Sequence, residues 1–140
     1  MKEKNVKLVV LRLLSVKSLS VLELRKKLIL RGFLEEEISQ AISLCRQYGY
    51  LNDDDEAHRR NKKLIQKGYG PHFIHPKLHF QGLKTPSMSS EDQIKVIQKL
   101  IEKPAWKKKE KRQTIAALKR RGFDFECILA VTKSIETFDG

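Results

Sequence analysis

The feature that most limits what this chain can fold into is a short pattern that occurs three times: Leu28-x-x-x-Gly32-Phe33, Leu78-x-x-x-Gly82-Leu83 and Leu118-x-x-x-Gly122-Phe123. A leucine four residues ahead of a glycine, with a large apolar residue directly after it, marks a helix stopped by a left-handed glycine. Five residues beyond each terminal Phe or Leu stands another apolar residue: Ile38, Met88 and Ile128. One copy would describe an ordinary helix end, whereas three copies sharing a downstream position describe a repeat. Small helical units of this kind cannot bury their apolar faces alone, so they stack. Each unit reads as three helices, with the glycine between the second and the third. Gly82 follows Gly32 by 50 residues, but Gly122 follows Gly82 by 40. About one helix is therefore missing before the last unit, and eight helices are expected, or nine with two very short ones. The expected architecture is all-α: tandem three-helix repeats with a shortened third repeat. Its units are residues 1–51, 52–103 and 104–140.

Taken in order, the first helix spans about Val6 to Val16, with Leu8, Leu11 and Leu14 as its apolar stripe. Ser20-Val21-Leu22-Glu23 is a capping box, and Leu19 and Leu24 are placed as its staple. Leu24 and Leu28 then face inward as far as Gly32. Ile38, Ala41, Ile42 and Cys45 follow the amphipathic rule in the third helix, which Gly49 ends. A fourth helix, opened by Asp53-Asp54-Asp55-Glu56, has a thin apolar face of Ala57, Leu64 and Ile65. The fifth starts at Pro71 and meets Pro76 about one turn in, which predicts a kink or a late start. Residues 84–89 form a loop. Ser90-x-x-Gln93 reads as a second capping box, for a helix through Ile94, Ile97 and Ile101 that ends by Pro104. A helix through Ile115 and Leu118 leads to Gly122. The last helix is capped by Asp124, has Phe123 stapled toward Ile128, and continues through Val131 to Ile135. No alternating strand pattern stands out.

Charge narrows the function classes. The net charge is +12, and it is banded. Residues 34–56 carry Glu35, Glu36, Glu37 and Asp53 through Glu56 against Arg46 alone, whereas residues 57–84 hold lysines and arginines and no acid. Residues 104–122 are again basic, with Glu110 as their acid. Two basic bands on a repeat scaffold suit an extended acidic partner. The acidic clusters sit at helix N-termini, where capping and the helix dipole account for them. His72, His75 and His79 have helical spacing but no carboxylate nearby to complete a metal site, so they read as basic surface, with metal: none. Phosphate-loop, nucleophile-elbow and paired-cysteine motifs are absent, so neither a catalytic residue nor a cofactor is expected. Cys45 and Cys127 fall in apolar stripes and read as buried thiols. The N-terminal stretch is too short and too charged for a signal peptide or a span, which makes a reducing cytoplasm the expected compartment. Tyr48, Tyr50, Tyr69 and Trp106 could stack on bases, although the tyrosines beside glycine turns read more simply as packing residues.

One ordered series goes further: Gly49-Tyr50-Leu51-Asn52-Asp53, then Ala57, then Lys67-Gly68-Tyr69-Gly70-Pro71-x-x-Ile74-x-x-x-Leu78-x-x-x-Gly82. With the flanking repeats, this series resembles the RecX family, the bacterial regulators of the recombinase RecA, over most of the chain. The resemblance implies that these three-helix repeats form an elongated, curved, right-handed-type array that lies along the groove of the RecA filament, limits its recombinase, ATPase and coprotease activities, and catalyses nothing itself. Single- or double-stranded DNA is a possible further contact, and a cytoplasmic monomer is expected. The partner-facing residues would be the basic faces: Arg59, Lys62, Lys63 and Lys67, then Lys108, Arg112, Lys119 and Arg120. The family motif residues read as mainly structural. This chain departs from the family pattern at Glu56, where an aromatic residue is usual, and at Arg60 and Asn61, which replace apolar positions. A loosely packed fourth helix is expected from those changes. The alternative is a basic helical DNA- or RNA-binding protein with no recombinase partner; a metal-dependent enzyme using the histidines is a third reading.

Overall fold

The computed structural model describes residues 5–133 and 135. Among them are nine helices and no strand: α1 (Val6–Val16), α2 (Val21–Leu30), α3 (Glu35–Gln47), α4 (Asp53–Gln66), α5 (Pro71–Phe80), α6 (Ser90–Ile101), α7 (Pro104–Lys107), α8 (Lys111–Arg120) and α9 (Phe125–Thr132). The repeat falls on these as triplets, with α2, α5 and α8 each ending at a motif glycine. The short spacing before the third glycine is explained by α7, a single turn of 4 residues in the place of a full first helix. One very short helix is present, rather than the two allowed for.

The motif is a Schellman turn written in sequence. The amide of the residue after the glycine donates to the carbonyl of the motif leucine in all three copies: Phe33 to Leu28 at 3.3 Å, Leu83 to Leu78 at 2.9 Å and Phe123 to Leu118 at 3.4 Å. Gly32, Gly82 and Gly122 adopt φ of 87°, 82° and 90°, the left-handed region that a side chain disfavours. The leucine and the residue after the glycine are buried in each copy. That apolar contact is the usual companion of the turn, and it sets the spacing of the motif.

Four local readings change. In α1 the buried residues are Val9 and Val10, with Val6, Leu13 and Leu14 partly covered, so Leu8 and Leu11 of the expected stripe face outward. A 6-9-10-13 face follows the helical period better than steps of three. The helix α5 starts at Pro71 without delay and runs unbroken through Pro76. Pro71 takes the first helical position, where no amide is needed, and Pro76, inside the continuous helix, is exposed. The cap of α6 is Ser89, whose hydroxyl accepts from the Asp92 amide at 3.1 Å, so Gln93 is released from the expected box. Finally, α9 ends at Thr132, and Ile135 lies in a bend whose amide donates to the Thr132 carbonyl.

Three apolar clusters make the core. The first joins α1, α2 and α3 through Leu24, Leu28, Ile38 and Ile42, with Cys45 at its edge. The last joins α6, α7, α8 and α9 through Ile97, Leu118 and Ile128, and includes Trp106 and Cys127. Here α6 packs on α9 and on the four-residue α7, which is too short to cover the cluster alone. The middle cluster is small: Ala57, Leu64, Ile74, Leu78 and Leu83 between α4 and α5. A two-helix unit of this size cannot bury enough surface alone, so its position depends on what it meets at each end.

At both ends the contact has the same form. The N-terminus of one repeat's second helix sits on the glycine turn that ends the next repeat's second helix. The Ser20 hydroxyl, at the cap of α2, donates to the Gln81 carbonyl at 2.6 Å, and a Cβ on Gly82 would stand 2.5 Å from Leu22 Cβ. The Gly70 and His72 amides, at the start of α5, donate to the Arg121 and Gly122 carbonyls at 2.8 Å each. A Cβ on Gly122 would stand 2.3 Å from the Phe73 nitrogen. At the second joint N–H groups of one helix start thus meet carbonyls of another helix end, while at the first a cap hydroxyl reaches the carbonyl; both place the helix dipoles head to tail. The helices α8, α5 and α2 form one such row.

Candidate partner-binding surface

The first joint, between α2 and α4–α5, is held by charge. All five N–H donors of the Arg60 guanidinium are used: Nε to Glu56 Oε2 at 2.7 Å, Nη1 to Gln81 Oε1 at 2.9 Å and Glu23 Oε2 at 3.2 Å, Nη2 to Glu23 Oε1 at 2.8 Å and the Ser18 carbonyl at 3.3 Å. Glu56 also takes the Ser18 hydroxyl at 3.1 Å and pairs with Arg59. Burial pushes the Glu23 carboxyl up, but bonds from Arg60 and the Ser20 amide outweigh it and hold the group below its ordinary value. Burial likewise opposes, and Arg60 and Arg59 overcome, the same balance at Glu56. Arg60 is raised, chiefly by Glu23. The fourth helix is therefore not loosely packed. Glu56 and Arg60 are each read from the sequence as a departure, and each supplies what the other needs.

The second joint, between α5 and α7–α8, is held by backbone and aromatic faces. Arg121 Nη1 donates to the Lys67 and Gly68 carbonyls at 3.0 and 3.3 Å. Its guanidinium lies 5.1 Å from the Tyr69 ring and 5.4 Å from the Trp106 ring, while Lys109 lies 5.5 Å from Trp106. Tyr69 stacks on Phe73 with centroids 4.0 Å apart. Cations and π faces thus alternate across the joint. Trp106, read as a base-stacking candidate, is instead buried with cations over its ring. At the rim, Gln93 Nε2 donates to Asp124 at 2.8 Å, the Asp124 amide donates back to Gln93 at 2.9 Å, and His72 also bonds Asp124. Gln93 and then His72 hold the Asp124 carboxyl below its ordinary value. Among the described residues no group of three or more His, Cys, Asp or Glu is placed to hold a metal ion.

The sequence-derived basic residues lie beside these joints. Arg59, Lys62 and Lys63 come together along a depression of about 390 Å³ that also includes Ser18, Arg60 and Gln66. Gln66 continues into a second depression, of about 270 Å³, with Gly68, Lys99 and Lys103. A third, of about 470 Å³, lies past Tyr69 and is lined by Lys109, Arg120 and Arg121. Lys67, Lys108, Arg112 and Lys119 are exposed but line none of the three. Lys99, Lys103 and Lys109 were missed by the sequence reading. The i, i+4 spacing of Lys99 and Lys103 was the available signal. The family motif residues occupy structural positions: Gly49 and Gly68 have positive φ, Leu51, Ala57, Ile74 and Leu78 are buried, and the Asp53 carboxylate accepts the Val21 amide at 2.9 Å. Tyr50 is exposed beside Tyr48.

No family model matches the chain. It is 32% identical over 129 residues to a protein named Regulatory protein RecX from Caldanaerobacter subterraneus, covering 84% of this chain and 64% of that protein. It is 29% identical over 140 residues to a protein of the same name from Legionella pneumophila, covering 91% and 92%. The crystal structure of RecX from Lactobacillus salivarius superposes with a TM-score of 0.78 at 18% identity, over 92% of this chain and 93% of that one. The chain thus spans less than two thirds of the first relative's length, 64%, and nearly all of the second's. No helix among the described residues is long and apolar enough to cross a membrane.

Proposed function

The chain belongs to the RecX family of regulatory proteins, and from that premise we propose that it binds the RecA nucleoprotein filament and lowers its recombinase, ATPase and coprotease activities as a cytoplasmic, non-enzymatic monomer. The observation that carries this reading is the succession of three basic depressions beside a head-to-tail row of helices. A succession of mainly basic depressions, with Glu56 as the acid in the first, suits an extended partner of the opposite sign. Arg59, Lys62, Lys63 and Arg120, joined by Lys99, Lys103 and Lys109, are the contacts proposed. Charges at such a rim act mainly on encounter and on the salt dependence of binding.

The test is DNA-dependent ATP hydrolysis by assembled RecA, titrated with purified chain at low salt. Hydrolysis is expected to fall as the chain is added, and the variant Lys62→Glu, Lys63→Glu is expected to act less strongly. An unchanged rate, with no chain recovered on sedimented filaments, would overturn the proposal. Binding to bare DNA at least as tight as binding to filaments would favour the basic DNA- or RNA-binding reading instead.

A further inference from the structure

One exposed position recurs along the α8, α5, α2 row. The last residue of each of these helices, two places before the motif glycine, is Arg120, Phe80 or Leu30. Leu30 is 86% exposed and Phe80 79%, among the most exposed large apolar side chains of the described residues. A single exposed leucine is unremarkable. The same exposure at the same repeat position in two units is less easily dismissed, because the Schellman turn makes no use of that side chain. Its fixed elements are the leucine, the glycine and the residue after it.

The tips also share a surface. Lys26 Nζ lies 5.5 Å from the Phe80 ring centroid, and Leu30 is one turn beyond Lys26 on the same face of α2. The tips of the first two repeats therefore stand on one side of the first joint. In the third repeat the place is taken by Arg120, next to Lys119, which lies 5.6 Å from the half-exposed Phe125 ring. The stretches 24–34, 71–84 and 111–123, which carry the tips, contain no Asp or Glu. Each tip thus projects from a basic field. The helices that bear them are each 10 residues long, so the tips recur at roughly one helix length, about 15 Å at 1.5 Å per residue.

Resting on the filament-binding reading above, we propose that Leu30 and Phe80, with Arg120 continuing the series, are apolar anchors that the array adds to those basic contacts on the protein subunits of the RecA filament, each apolar tip entering an apolar pocket rimmed by carboxylates. Charge complementarity selects this occupant. A mainly basic surround, flanked by Glu23, Glu35, Glu110 and Asp124 with Glu35 paired to Arg25, favours an acidic partner, which a second copy of this +12 chain is not. A phosphate backbone is acidic but offers no apolar pocket for a leucine. A protein polymer offers both, repeated along a line.

The experiment is co-sedimentation of the full chain with RecA filaments, comparing the parent with Leu30→Ser, Phe80→Ser and the double variant, and measuring bare-DNA binding by each in parallel. Both side chains are exposed, so circular dichroism and Tm are expected to match the parent. Each single change is expected to weaken filament binding about tenfold, as loss of an apolar anchor does, and the double change about a hundredfold, with bare-DNA affinity unchanged. A double variant that sediments like the parent would overturn the inference while leaving the filament reading intact. Equal loss of bare-DNA binding, or loss of a dimer seen for the parent in analytical ultracentrifugation, would overturn it by assigning the tips to nucleic acid or to self-association. A parent that fails to sediment with filaments would overturn the reading of the preceding subsection and this inference with it.

Discussion

The two joints of the array solve one geometric problem with different physics. At both, the start of one repeat's second helix sits on the glycine turn that ends the next one. At the first joint a half-buried guanidinium holds two carboxylates, an amide side chain and a carbonyl, with the Ser20 hydroxyl on Gln81 as the direct link. At the second, two backbone amides meet two backbone carbonyls, and Arg121 is held between aromatic faces. The first joint therefore depends on ionisation and on side-chain identity, while the second depends on close approach of backbone. The middle repeat has little core of its own and takes its placement from both. The register of the row, and with it the spacing of the surfaces beside it, is set where the repeats meet.

The largest effect that follows from this difference is at Gly122. An alanine there would be strained by φ of 90° and would set a carbon 2.3 Å from the Phe73 nitrogen, a backbone atom that cannot swing aside. Gly122→Ala is expected to cost more than about 4 kcal/mol in urea denaturation, in the range reserved for severe local conflicts. Gly49→Ala shares the strained φ, at 78°, but meets nothing within 4 Å. It should cost only about 1 kcal/mol, the price of the left-handed conformation itself. Similar losses at the two glycines would show that close approach is not what fixes the second joint.

Next comes the charge clamp. Arg60→Leu leaves Glu23 and Glu56 without their shared partner and is expected to destabilise by about 3 kcal/mol, as removal of one member of a buried network does. Glu56→Phe together with Arg60→Leu restores an apolar pairing and should recover most of that loss, a non-additivity readable in a double-mutant cycle. Arg60→Lys should not recover it, since an ammonium cannot fork toward Glu23 while reaching Glu56 and Gln81. Additive single and double effects would break the claim that the two residues compensate each other.

A smaller effect is the pH dependence. The carboxyls of Glu23 and Glu56 lie below their ordinary values in the folded chain. Depressed carboxylates contribute stability that is fully present above the unfolded value, about 4.3 for glutamate, and that is lost as pH falls through the folded values. Stability should thus decline on acidification below that range, and the decline should be shallower in the Glu56→Phe, Arg60→Leu variant. Asp124 adds an acid-sensitive contact at the second joint, but it is more exposed and sits at the rim of bonds that do not titrate.

How much of this was legible beforehand depended on whether the deciding interaction was local. The Leu-x-x-x-Gly-Phe spacing encodes a complete turn within six residues, so the repeat, the helix ends and the missing helix before Gly122 could be read directly. The buried faces of α2 and α3 could be read for the same reason. Errors arose where a distant residue decides. Gln93 looked like a capping partner because the Asp124 that it bonds is 31 residues away. Arg60 looked like a defect in an apolar face because Glu23 and Gln81 belong to other helices. Trp106 looked like a free aromatic in a basic run because Arg121, whose guanidinium lies over its ring, comes from the far end of another helix, at the C-cap of α8. Leu8 and Leu11 were misplaced for a nearer reason, since in a helix as apolar as α1 several faces compete.

Residue-resolved hydrogen exchange, followed as the pH is lowered from neutral, tests the contrast between the joints most directly. The Ser20 and Val21 amides donate to the carboxylates of Glu23 and Asp53, whereas the Gly70 and His72 amides donate to the backbone carbonyls of Arg121 and Gly122. The protection factor at Ser20 should fall first as the Glu23 carboxylate takes up its proton, while those at Gly70 and His72 persist. If Gly70 and His72 lose protection at the same pH or at a higher one, the two joints are not physically distinct and the account is contradicted.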